Sequence, residues 1–166
     1  ITAEARETTL SNLKGTTWFA DLKECDIVIE AITESLDDKR ALYAEVDNVV
    51  GETALLVSNT SSLCITELAA STKRPDRFCG MHFFNPVPVM KLVEVVRTLL
   101  TSEEAYKTAF EFARSLGKEP IACRDNSGFV VNGLLVPYLL DAIRALEEGV
   151  ASVEDIDKGM QLGCGH

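Results

Sequence analysis

The stretch Gly80–Arg97, reading GMHFFNPVPVMKLVEVVR, constrains this chain more than any other. It holds two short apolar runs, Phe78 to Phe84 and Leu92 to Val96, on either side of Pro86 and Pro88. Runs this short and this rich in Val and Phe read as buried strands. Proline cannot donate to a strand ladder, so the prolines mark the break between them. The first run carries His82 and the second carries Glu94. Twelve residues apart, they cannot share a helix face, where neighbours lie three or four apart. They meet only if the chain turns at the prolines and the second strand returns beside the first. A carboxylate bonded to one imidazole nitrogen fixes the tautomer and leaves the other nitrogen as a proton acceptor. The alternative is a core histidine and a glutamate that leans to solvent from a strand edge, and spacing alone leaves both open.

The flanks supply the rest of an α/β pattern. Asp26–Ala31 is a β-branched run that reads as a central parallel strand, behind an acidic helix-like stretch at 21–24. Leu36, Leu42, Tyr43, Val46, Val49 and Val50 form a helical face with Ser35 as its N-cap. Leu55–Val57 is a buried strand that ends in five small polar residues, Ser58 to Ser62. Ile65–Ala70 is a short helix. Thr101-Ser-Glu-Glu104 reads as a capping box, opening a helix with Ala105, Ala109, Phe112, Ala113 and Leu116 on its apolar face. Pro120–Cys123 is the last strand. Strands alternating with helices through short connections predict a parallel sheet. Beyond Asp125–Gly128 the pattern changes: Phe129–Leu146 is an apolar helix of about five turns, and Ser152 caps another that stops at Gly163. The expected division is a sheet domain over 1–125 and the beginning of a helical domain over 126–166. Neither end reads as a natural terminus, so the expectation is a fragment.

Ligands of open parallel sheets sit beyond the carboxyl ends of the strands. Three strand tails therefore gather Glu34, Asn59, Ser61, His82 and Asn85 on one expected rim. The net charge of −10 argues against nucleic acid or an anionic membrane as partner. Five cysteines, an odd number with no CxxC pair, read as small buried hydrophobes in a reducing compartment, with neither a disulfide framework nor a zinc site.

Several segments together carry a resemblance. Ser58-Asn-Thr-Ser-Ser-Leu63, His82-Phe-Phe-Asn-Pro-Val-Pro-Val-Met-Lys-Leu-Val-Glu94, Leu116-Gly-Lys-Glu-Pro120, Gly128-Phe-Val-Val-Asn132 and Glu147-Glu-Gly-Val-Ala-Ser152 resemble the L-3-hydroxyacyl-CoA dehydrogenases, the 3-hydroxybutyryl-CoA dehydrogenases most of all. The resemblance covers essentially the whole chain. It implies a Rossmann-type parallel sheet lacking its N-terminal βαβ start, followed by the first helices of an all-α domain. It also implies NAD as cofactor, an acyl-CoA substrate and a homodimer built through the helical domain. The implied setting is the bacterial cytoplasm, with the mitochondrial matrix as the other. By position, His82 is the general base for the 3-hydroxyl, Glu94 orients and supports the imidazole, and Ser61 and Asn132 complete the catalytic group. Glu34, Lys39, Asn59, Ser61 and Asn85 match positions around the nicotinamide and its ribose. No metal is needed for that chemistry.

The departures are equally specific. No G-x-G-x-x-G occurs in the sequence, and in the resembled family it opens the domain. Cys64 stands where relatives commonly carry Ser as a helix cap, and Gly133 where many carry Arg. A lysine-dependent β-hydroxyacid dehydrogenase is a competing reading, but no lysine lies between Lys118 and Lys158. A non-catalytic, crystallin-like relative, or a truncated chain unable to bind dinucleotide, is the other.

Overall fold

The computed structural model describes residues 2–165. Its centre is a five-stranded sheet in sequential order. The strands are β1 (Ile27–Glu30), β2 (Leu55–Ser58), β3 (Phe78–Phe83), β4 (Leu92–Arg97) and β5 (Glu119–Arg124). β1, β2 and β3 run parallel, β4 returns antiparallel to β3, and β5 is parallel to β4. The parallel sheet expected from the alternation is thus a mostly parallel one, reversed where the proline-broken connection is too short for a helical crossover. β1, expected as a central strand of the whole domain, stands first in the order of this chain. It pairs only with β2 and forms a sheet edge among the described residues, with Ile29 exposed.

Adjacent strand residues point to opposite faces, and here both faces are covered. Leu56, Phe78 and Val96 pack with Tyr43 and Val46 of α2 (Leu36–Val46) and with Ile65, Leu68 and Ala69 of α3 (Ile65–Ala70). Leu55, Val57, Cys79, Met81, Val93 and Val95 pack on the alanine stripe Ala105, Ala109 and Ala113 of α4 (Glu103–Ser115). The small stripe lets α4 lie close to the sheet. Gly80 leaves no room for a side chain between β4 and α3: an added Cβ would come 2.9 Å from Val96 Cβ and 3.0 Å from Ile65 Cδ1.

The helix starts show which polar side chain wins each position. Ser35 caps α2 and Ser152 caps α6 (Val153–Cys164), each by accepting a backbone N–H, from Asp38 and Asp155. The capping box expected at Thr101 does not form. Ser102 caps α4 instead, because the buried Thr101 hydroxyl donates to Phe78 O at 2.7 Å and binds Thr98. α1 (Ala3–Ser11) is exposed along its length, and a short 3-10 turn at Phe19–Leu22 replaces the acidic helix-like stretch. α5 (Val131–Glu147) begins two residues later than the apolar pattern suggests, because Gly128 and Phe129 are both left-handed, with φ of 73° and 50°. α5 and α6 pack against each other and bury no residue completely.

Candidate active site

β3 and β4 are in a register that sets His82 directly opposite Glu94. Directly opposed residues of an antiparallel pair project from the same face, so the two side chains meet. His82 Nδ1 lies 2.7 Å from Glu94 Oε2, with His82 5% exposed and Glu94 fully buried. The other carboxylate oxygen, Oε1, accepts the backbone N–H of Val130 and of Val131, each at 2.9 Å. These are the first amides of α5, whose start has no side-chain cap of its own, and a negative charge is favoured there. The imidazole ring is flanked by Phe84 at 4.6 Å and Phe129 at 5.6 Å, centroid to centroid. With Nδ1 on the carboxylate, Nε2 is the nitrogen left for a reacting proton.

The hydroxyl-rich tail of β2 is organised by Glu34. Its Oε1 accepts the Thr60 hydroxyl, Ser61 N–H at 3.0 Å, Ser62 N–H at 3.2 Å and the Ser62 hydroxyl at 3.3 Å. Burial pushes the Glu34 carboxyl up, but the bonds from Thr60 and Ser61 and the Lys39 ammonium outweigh it and leave it below the usual value. Lys39, 1% exposed, sits 2.6 Å from buried Glu30 and 3.4 Å from Glu34. Its ammonium is therefore committed to carboxylates, and it reaches the rim through Glu34. Asn59 Oδ1 accepts Phe83 N–H at 2.9 Å, tying the end of β2 to the strand that carries His82. Asn85 is exposed just beyond β3.

Ser61 and Asn132 line one cavity of about 460 Å³, together with Ser62, Ser127, Gly128, Gly133, Val136 and Pro137. His82 is not among its lining residues. A larger cavity of about 690 Å³, between Thr66, Arg97, Thr98 and Arg124, holds none of the expected site residues. The smaller one is the candidate site because it joins the β2 tail to the first turn of α5.

Four residues that the sequence did not single out hold this arrangement. Buried Glu30 anchors Lys39, and buried Thr60 donates to Glu34. Phe129 flanks His82. Asp125 accepts Ile65 N–H at 3.1 Å, and Thr66 N–H and hydroxyl both at 2.6 Å, so it caps α3 where the Cys64 thiol does not. A helix that begins on a cysteine, a poor cap, was the available signal that some remote carboxylate had to supply one. Burial pushes the Cys79 thiol up to about 12. Cys123 also reaches about 12, through burial first and then the charges of Glu94 and Asp125. Thiols raised this far carry little thiolate near neutral pH. The described residues contain no group of three or more side chains able to hold a metal.

The fold and site together define an α/β protein of the dinucleotide-binding kind, with a histidine–carboxylate pair near the end of its third strand. Comparison with known proteins makes this specific. Residues 1–126 match the family model for the 3-hydroxyacyl-CoA dehydrogenase NAD binding domain, and 128–166 match the 3-hydroxyacyl-CoA dehydrogenase C-terminal domain. The human mitochondrial hydroxyacyl-coenzyme A dehydrogenase is 50% identical over 161 residues, covering 96% of this chain and 51% of that protein. A Mycobacterium tuberculosis 3-hydroxybutyryl-CoA dehydrogenase is 51% identical over 168 residues, covering 100% of this chain and 59% of that one. The crystal structure of (S)-3-hydroxybutyryl-CoA dehydrogenase from Ralstonia eutropha superposes with a TM-score of 0.98 at 49% identity, over all of this chain and 59% of the other. The chain belongs to the 3-hydroxyacyl-CoA dehydrogenase family. It spans between half and three-fifths of the length of these relatives.

Proposed function

We propose that the protein carrying this chain interconverts (S)-3-hydroxyacyl-CoA and 3-ketoacyl-CoA with NAD(H). The observation that carries the proposal is the 2.7 Å contact between His82 Nδ1 and Glu94 Oε2 in a buried setting. A secondary alcohol gives up hydride readily only as its proton leaves, so a base within hydrogen-bond reach of the 3-hydroxyl is required. His82 Nε2 takes that proton, and Glu94 stabilises the imidazolium that results. In the reverse direction the same nitrogen returns the proton to the forming alkoxide. Ser61 and Asn132, which share a cavity wall, hold the oxygen and the acyl group beside it.

The residues present suit the nicotinamide end of NAD. Exposed Ser61 and Asn85 offer hydrogen-bond groups on the rim beyond β2 and β3, and Glu34 holds the β2 tail in place. NAD would supply the hydride acceptor. Lys39 and Asn59 serve that end indirectly, Lys39 through Glu34 and Asn59 through the β3 backbone.

The division into a sheet domain over 1–125 and the beginning of a helical domain over 126–166 is part of this reading, and the family-model matches over 1–126 and 128–166 support it. The exposed leucines of α5, Leu134, Leu135, Leu139 and Leu140, suit a homodimer contact through the helical part. The net charge of −10 speaks against nucleic acid and anionic membranes as partners. Among the described residues no helix is long and apolar enough to cross a membrane. All five cysteines are free, which suits a reducing setting such as the bacterial cytoplasm or the mitochondrial matrix.

The test is His82→Gln in the full-length protein, assayed by NADH consumption with acetoacetyl-CoA. Turnover is expected to fall on the order of a hundredfold or more, with NADH affinity nearly unchanged. Retained turnover with lost NADH binding would overturn the assignment of the base. A wild-type protein that binds NADH yet consumes none would mark a non-catalytic relative.

A further inference from the structure

Phe129 is the only non-glycine residue with a positive φ among those described, at 50°. A bulky side chain holds that conformation only where its surroundings over-determine it. Nothing in the apolar pattern demands it, since that pattern runs as a helix from Phe129 onward. Gly128, at φ 73°, precedes it and has no room for a side chain, because a Cβ there would lie 2.8 Å from Gly133 N. Two successive left-handed residues swing the backbone so that the next two N–H groups, Val130 and Val131, converge on one oxygen of Glu94. Successive amides aimed this way form an anion-binding concavity. The Phe129 ring, in a residue 7% exposed, turns inward to lie 5.6 Å from the imidazole of His82, which also has Phe84 at 4.6 Å.

The strained turn therefore touches both members of the acid–base pair, the carboxylate through its backbone and the imidazole through its ring. We propose that Phe129 is a positioning residue for the His82–Glu94 pair. Its left-handed backbone delivers two amides that fix the Glu94 carboxylate, and its ring fixes the rotation of the imidazole, so that Nε2 faces the substrate. The chain leaving the sheet for α5 thereby orients the base as much as the sheet does. The catalytic consequence rests on the assignment of His82 as the base, whereas the geometric claim can be read without any turnover.

The test is Phe129→Leu in the full-length protein, which keeps apolar bulk and removes the ring. Turnover is expected to fall on the order of ten- to a hundredfold, as small misplacements of a reacting group do, with the KM for NADH within about twofold of the wild-type value. The Nδ1–H proton resonance of His82, sheltered by Glu94 in the wild type, is expected to broaden or vanish. Phe129→Gly accepts the left-handed turn without strain. It should keep hydrogen-exchange protection at Val130 and Val131 while still losing turnover, which separates the backbone role from the ring's. If either variant loses only thermal stability, with turnover and the His82 resonance unchanged, Phe129 is a packing residue and the proposal is wrong. If His82→Gln retains full turnover, the base assignment fails, yet the His82 resonance in Phe129→Leu still decides whether the turn holds the imidazole.

Discussion

Glu94 and Glu34 each gather backbone amides from a segment far away in sequence, but at different depths. Glu94 is fully buried between His82 and the first two amides of α5. Glu34 has a side chain 41% exposed and holds the amides of Ser61 and Ser62 with help from Lys39. Removing a buried acceptor leaves its donors without partners or water, while the same loss at a half-exposed site is repaired by solvent. The buried carboxylate is thus a fixed reference for the His82 imidazole, whose role as base is proposed. The exposed one holds a loop that solvent can reach.

The sharpest way to break this contrast is Glu94→Gln. The amide is close in shape, and its oxygen can still accept Val130 and Val131 N–H. Its NH₂ then faces His82 Nδ1 and demands the opposite tautomer, which places a proton on Nε2, where the base must be free. Turnover is expected to fall on the order of a hundredfold or more, with a stability loss of about 1–3 kcal/mol by chemical denaturation. Turnover within a few-fold of wild type would mean that Glu94 serves only as the cap of α5. Glu34→Gln should act more gently. NADH affinity, read by fluorescence titration, is expected to weaken by about three- to tenfold, the worth of one charge-assisted bond at a partly exposed site. Global stability should stay within about 0.5 kcal/mol. Unchanged NADH affinity would place the β2 tail away from the cofactor.

These two carboxylates also show how far the sequence could be read. The His82–Glu94 meeting was one of two readings that the apolar runs and the proline break left open, and the family resemblance pointed to it; the β3–β4 register places the two residues opposite each other. The strands and the main helices were legible from periodicity. What escaped were choices among equivalent groups. Thr101 and Ser102 are adjacent hydroxyls, and only the proximity of Phe78 O decides that Ser102 is the cap. Lys39 matched a cofactor-lining position, but its burial against Glu30 depends on an ion pair across nine residues that no periodicity encodes. Phe129 fitted a helical pattern perfectly well. Its left-handed turn is a departure from local preference, and such departures are concentrated at functional sites.

The smallest effect expected is an acid transition confined to the Glu34 side. Interactions in the folded protein hold the Glu34 carboxyl below its ordinary value. A group depressed in this way contributes its stabilisation fully above the ordinary carboxylate range and loses it as pH falls through the lowered value. Protonation weakens the acceptor for Ser61 N–H and Ser62 N–H and removes the charge that faces Lys39. Hydrogen exchange at Ser61 and Ser62, corrected for intrinsic rates, should therefore lose protection on acidification below the ordinary carboxylate range. In Glu34→Gln that pH dependence should be absent. The amides of Val130 and Val131, held by a carboxylate shut away from water, should keep their protection until the protein unfolds as a whole. If both pairs of amides open together in acid, the two carboxylates belong to one cooperative unit, and the division between a buried carboxylate and one that solvent reaches is lost.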